Sequence, residues 1–139
     1  MIGVRDLLST YPGTRLIEAN GDVFAIHDPD HDYERRPRQG WATIVNSDVN
    51  DTASDLDRPG VYRLNIGLPT QRFRETVDPD AAGDPTALDI VMPHPVYAAH
   101  HWVCVLNPDT TWPSVRALLD DAHDFAVRKH RNHTRRQDR

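Results

Sequence analysis

Three of the eight histidines, His94, His100 and His101, fall between positions 94 and 101 of a 139-residue chain. Imidazole titrates close to neutrality and is the commonest metal ligand, so two such rings with an acid from a nearby loop would hold zinc or move a proton. The spacing, however, matches neither H-E-x-x-H nor a Cys/His zinc signature. Cys104 is the single cysteine, which excludes an internal disulfide and a cysteine-based zinc site. His100 and His101 are adjacent, and on a regular strand neighbours point to opposite sides, so they are not expected to share one site. His94 stands between Pro93 and Pro95, which hold the backbone stiffly and bias it toward an extended conformation. Ordinary half-buried hydrogen bonding is the plainer expectation for all three rings.

A second constellation rests on alternation. In the stretch from Tyr62 to Leu68, Tyr62, Leu64, Ile66 and Leu68 form an apolar face, which leaves Arg63 and Asn65 on the other side of the strand. With Thr43 on an expected neighbouring strand, and with His94, Tyr97 and His100 nearby, they would line a small ligand pocket. Arg63 would supply a bidentate donor to an anion there. The simpler expectation for Arg63 is an ion pair with one of the many aspartates. The chain has no Gly-rich phosphate loop, no G-x-S-x-G elbow and no dinucleotide fingerprint, and Ser9, Ser47, Ser54 and Ser114 lack an adjacent histidine. Asp28, Asp30, Asp32 and Glu34 alternate as in a calcium loop, but Tyr33 and Gln39 stand where glycine and the closing glutamate belong. Solvated acidity is expected in that loop, and likewise for Asp48, Asp51, Asp55 and Asp57. No resident metal or cofactor is expected.

The elements that must position these groups follow from periodicity. Ile2 to Ser9 reads as a short helix with Ile2, Val4, Leu7, Leu8 and Tyr11 as its contacts, stopped at Pro12-Gly13. Thr14 to Ala19 and Asp22 to His27 flank Asn20-Gly21, a dipeptide suited to a type I′ hairpin. Residues 28–40 form a polar, proline-broken loop; residues 40–46 a third strand; residues 47–60 a second acidic loop, too polar to pack; residues 61–68 a fourth strand. Pro69 then opens a helix with Phe73 and Val77 on one side. Ile90 to Met92 and His101 to Leu106 are strand-like, joined by a tight connection at Tyr97 to His100. The second of these is apolar on both faces, as in a covered central strand, and Cys104 within it is expected to be an inert core residue. Val115, Leu118, Leu119, Ala122, Phe125 and Ala126 recur at helical spacing in a last helix expected to fray near Arg131. The order α, β, β, β, β, α, β, β, α predicts an α+β two-layer sandwich: a mainly antiparallel sheet of about six strands with an N-terminal, a middle and a long C-terminal helix.

Composition sets the outer limits. The length suits one domain, assigned to residues 1–130, with residues 131–139 as a basic, flexible tail. Mean hydropathy is −0.64, no run approaches a membrane span, and the N-terminus lacks the basic and apolar segments of a signal peptide. A cytoplasmic protein with no membrane partner is expected. The net charge of −5 conceals a segregation, because residues 128–139 hold six bases and one acid while the rest holds ten bases and twenty acids. An acidic body argues against a duplex-binding face, so nucleic acid is not expected as its partner.

The segment YRLNIGL leading into a helix, then HPVYAAHHWVCVLNP, then an amphipathic C-terminal helix resemble uncharacterised bacterial proteins and, more distantly, the MmcQ/YjbR-like family with its frataxin-like (CyaY-like) fold. The resemblance covers most of residues 2–130. Its most specific marks are the Gly67-Leu68-Pro69 step from strand to helix and the Trp102-Val103 strand, and it implies a fold rather than a reaction. The long acidic loops depart from it, and the acidic body departs from the DNA-binding-like surface discussed for that family. A non-enzymatic module for an unknown small molecule or protein is therefore the first functional expectation. A small enzyme or metal protein using His94, His100 or His101 is the second, and nucleic-acid binding through the Arg-rich tail the third.

Overall fold

The hydrophobic alternation of the strands is resolved into one sheet in the computed structural model, which describes residues 3–49, 51–81 and 83–137, with the backbone only at residue 137. Strands β1 (Thr14–Ala19), β2 (Asp22–His27), β3 (Ala42–Val45), β4 (Arg63–Gly67), β5 (Met92–Pro93) and β6 (Trp102–Leu106) lie in the order β1-β2-β3-β4-β6-β5. Every pairing is antiparallel. Helices α1 (Val4–Ser9), α2 (Thr70–Thr76) and α3 (Trp112–Gln137) complete the α+β fold. Asn20 and Gly21 have φ of 54° and 83°, the paired positive values that a type I′ turn requires.

The register separates the two faces. Val23, Ala25, Ala42, Ile44, Leu64, Ile66, Val103 and Val105 fall on one side and are buried with Leu7 and Leu8 of α1, Phe73 of α2, and Val115, Leu118, Leu119 and Ala122 of α3. One face of the sheet thus carries the helical layer and the main core. On the other face stand Phe24, Thr43, Val45, Arg63, Asn65, Trp102, Cys104 and Leu106, and none of the helices α1, α2 and α3 among the described residues adds to the core there. Loop 47–60 roofs one end instead: Leu56 is 1% exposed and packs against Val45 and Leu106. A loop expected to be too polar to pack is therefore anchored by its one leucine and by Ser54, which is wholly buried.

Loop 28–40 also departs from the solvated expectation. The Asp28 side chain is fully buried, and its carboxylate accepts hydrogen bonds from Arg38 Nη2 (2.7 Å) and the Asp32 backbone N–H (3.0 Å). Arg38 also donates to the His27 and Arg36 carbonyls. The acids at 28 and 32 organise the loop around arginine, not around a cation.

Two further elements differ from the periodicity. β5 is limited to Met92–Pro93, with Ile90 half exposed, because the prolines at 93 and 95 remove ladder donors and confine this piece to a sheet edge. β6 is consequently the second strand from that edge, although every one of its residues is buried. Helix α3 continues past Arg131 to Gln137. Its end is held by His130, whose Nε2 lies 3.0 Å from Asp30 Oδ2 and whose Nδ1 lies 3.1 Å from Arg36 Nη2. Ile2, read as a contact of the first helix, lies outside the described residues.

The start of α3 is set from a distance. Asp89 accepts the backbone N–H groups of Asp109, Thr110 and Thr111 at 2.7–3.1 Å and both threonine hydroxyls at 2.6 Å. These hydrogen bonds, Thr110 first and Thr111 next, hold its carboxyl well below the usual range, as expected for an anion at the positive end of a helix. Asp89→Ala should lower stability through loss of this cap, read as a reduced urea midpoint with unchanged slope; an unchanged midpoint would show that the cap is dispensable.

Candidate functional site

The uncovered sheet face forms a concavity of about 500 Å³. A row of side chains crosses its floor, set by strand register: Phe24 on β2 opposite Thr43 on β3, and Thr43 opposite Asn65 on β4; Cys104, opposite Asn65 on β6, is wholly buried and does not line it. Arg63 and Asp51 lie to one side of this row, and Tyr97 and Trp102 form a wall. Trp102 reaches this position because residue 67 is glycine: a Cβ there would stand 2.8 Å from the indole carbons. The Gly67-Leu68-Pro69 step therefore does more than begin α2, since it lets an indole rest on the sheet.

Arg63 is 1% exposed, and its charge is matched within the protein. Nη1 and Nη2 donate to the two oxygens of Asp51 at 2.9 and 2.7 Å, Nη1 also donates to Ser54 Oγ at 3.0 Å, and Nε donates to Asn65 Oδ1 at 2.9 Å. The guanidinium lowers the Asp51 pKa, mainly through the side-chain hydrogen bonds. Four of the five N–H donors of a guanidinium are thereby occupied. The bidentate donor anticipated for an anion has an internal partner, and loop 47–60 is stapled to the sheet through that pair.

Asn65 is oriented by the same network. Because Oδ1 accepts from Arg63, the Nδ2 group is turned away from the guanidinium, and it makes no hydrogen bond to a described residue. The Thr43 hydroxyl is likewise outside the network. An amide donor and a hydroxyl stand side by side on the cavity floor.

Of the residues anticipated for a pocket, Arg63, Asn65 and Tyr97 come together, with Thr43 beside them. His94 does not line the concavity. It is 2% exposed, and its ring lies 5.0 Å from that of Tyr97. Its Nδ1 accepts the backbone N–H groups of Val96 and Tyr97, both at 3.0 Å, so the Pro93–Pro95 corner is closed by an imidazole acceptor. That leaves the proton on Nε2, which is buried without a partner among the described residues. Burial, and next the Arg63 charge, push the His94 pKa down to about 4, so the ring is neutral near pH 7.

The other two rings are elsewhere. His100 closes the 3-10 turn Ala98–His100 and lines a separate cleft of about 70 Å³ that shares Gln39, Gly40 and Trp102 with the larger concavity. His101 takes a left-handed conformation (φ 67°), with Nδ1 3.3 Å from Thr70 Oγ1 and its ring 5.5 Å from that of Phe73. Among the described residues no three His, Cys, Asp or Glu side chains are grouped so as to hold a metal ion. Cys104 is wholly buried, and burial raises its thiol to about 12.

Asp51, Ser54, Phe24 and Trp102 escaped the sequence reading of the site. The signal for the first two was available: an arginine on an otherwise buried strand needs a desolvated acid, and Leu56 is the one leucine in a polar loop that can reach back to the sheet. Phe24 and Trp102 look like core residues in any hydrophobic pattern, because a cavity wall and a core contact have the same composition.

A small antiparallel α+β protein with helices on one face and a ligand-sized hollow on the other is the class this geometry defines. Residues 1–136 match the family described as "Family of unknown function (DUF6194)", and the chain belongs to that family. No curated protein and no solved structure matches it. Among the described residues no helix is long and apolar enough to cross a membrane.

Proposed function

We propose that this protein is a non-enzymatic binding module whose ligand occupies the concavity on the uncovered face of the sheet. The observation that carries this reading is the contrast within the floor. Arg63, Asp51 and Ser54 are hydrogen-bonded to one another in a rigid set, while the Asn65 Nδ2 and the Thr43 hydroxyl beside them are left for something else. A fixed scaffold with a few convergent polar groups among aromatic walls is how small-molecule sites are generally built. Catalysis is not favoured, since the nearest imidazole, His94, is buried behind Tyr97 with its acceptor nitrogen engaged by backbone. A cytoplasmic location and the MmcQ/YjbR likeness belong to the same proposal; the second is supported by the Gly67–Pro69 step into α2 and by Trp102-Val103 in β6.

A thermal-shift screen against a library of metabolites tests it. A ligand at about 100 times its Kd should stabilise the native state by about 2.7 kcal/mol, a rise of roughly 5–10 °C for a domain of this size. Thr43→Tyr, which fills the floor, and Tyr97→Ala, which removes the half-exposed wall, should both abolish the rise. A ligand whose effect survives both substitutions would locate binding elsewhere and overturn the reading.

A further inference from the structure

The groups that face the concavity also define what fits in it. Resting on the binding reading above, we infer that the ligand is an uncharged planar heterocycle carrying a carbonyl group, and not a phosphate or a carboxylate anion.

Charge gives the first reason. Among the described residues Arg63 is the single cation on the lining, and its charge is matched by Asp51. An anion entering this partly desolvated hollow would meet the Asp51 carboxylate with no uncommitted cation on the described lining to offset its own desolvation. The second reason is donor geometry. Asn65 presents a donor, because its oxygen is committed to Arg63, and so it requires an acceptor on the ligand. Directly across the register, the Thr43 hydroxyl can donate to the same group or accept from an adjacent ring N–H. A lactam or carboxamide edge satisfies both groups at once. The third reason is shape. Phe24, Tyr97 and Trp102 line the same hollow beside those polar groups, with Trp102 packed against Gly67, so aromatic carbon surrounds whatever meets Asn65 and Thr43.

The test compares matched pairs that differ in charge: nicotinamide with nicotinate, and uracil and hypoxanthine with uridine and inosine 5′-monophosphates. Binding is followed by amide and side-chain NMR of the intact chain. The amide or lactam member of each pair is expected to move the Asn65 side-chain NH₂ and the Trp102 indole N–H signals, with the anionic member at least tenfold weaker. Thr43→Val, which keeps the shape and removes the hydroxyl, should weaken the neutral member by about fivefold or more. Equal or tighter binding of nicotinate or the monophosphates at Asn65 and Trp102 would overturn the ligand class while leaving the concavity a binding site. No movement of these signals by any probe also overturns the class; the library screen, scored on Thr43→Tyr, then decides separately whether the concavity binds anything.

Discussion

Asp51→Ala should destabilise the protein by about 3–5 kcal/mol, the cost of leaving a buried charge uncompensated. Arg63 is 1% exposed and its Nη atoms have no second carboxylate among the described residues, so removing Asp51 strands a guanidinium in the sheet rather than merely deleting a bond. The effect should reach beyond the pair. Loop 47–60 is tied to the sheet by Arg63 through Asp51 and Ser54 and by Leu56 against Val45 and Leu106; losing the first tie should expose the second, seen as faster amide exchange from Ala53 to Arg58. The double variant Arg63→Met, Asp51→Leu removes both charges and keeps apolar volume, and replacement of a buried pair in this way is frequently neutral or stabilising. Urea unfolding should therefore show a deep loss in the single variant and recovery of most of it in the double. A loss under about 1 kcal/mol for Asp51→Ala would mean that water reaches Arg63 and that the network is not a rigid floor.

That pair also shows where reading the sequence stops. Alternation in β4 placed Arg63 and Asn65 opposite the core face, and the Asn-Gly turn, the six strands and the three helices were all written in local patterns that depend on residues a few positions apart. The partner of Arg63 was not, because loop 47–60 offers several aspartates and the choice of Asp51 depends on how a loop folds back over a sheet. Burial misled in both directions for the same reason. Asp28 and Ser54 are polar residues in polar loops, yet they are closed off by arginine and by the sheet; Ile90, in the most apolar part of the chain, is half exposed because it lies ahead of β5, which begins only at Met92. For the histidines, periodicity could not separate three neighbours with three different environments. His94 is an acceptor for backbone at a proline corner, His100 lines a side cleft, and His101 sits at a left-handed position that no strand pattern allows.

Acid should destabilise this protein well before its carboxylates protonate. His94 and His27 both have pKa values pushed down to about 4, in each case first by burial and then by nearby positive charge: Arg63 for His94, His123 and His130 for His27. The native state therefore disfavours the protonated rings, while the unfolded chain takes up protons from about pH 6.5 downward. The stability these rings contribute is complete above about pH 6.5 and is lost as pH falls toward 4. For His94, with its ring enclosed, the loss approaches about 3 kcal/mol at pH 4, from about 1.4 kcal/mol per unit. His27 is partly open to solvent and should contribute less. Protonating His94 also costs the acceptor at Nδ1, which strands the Val96 and Tyr97 N–H groups and loosens the wall formed by Tyr97. Asp51 and Asp89, whose pKa values are depressed, act in the other window and lose their contribution only below about pH 4. Urea unfolding at pH 7, 6, 5 and 4.5 should give a steady fall in the wild type. His94→Asn, whose side-chain oxygen can accept the same two N–H groups but does not titrate, should flatten most of that fall, and His27→Asn a smaller part. If His94→Asn retains the wild-type pH slope, the buried imidazole is not what makes the fold acid-sensitive.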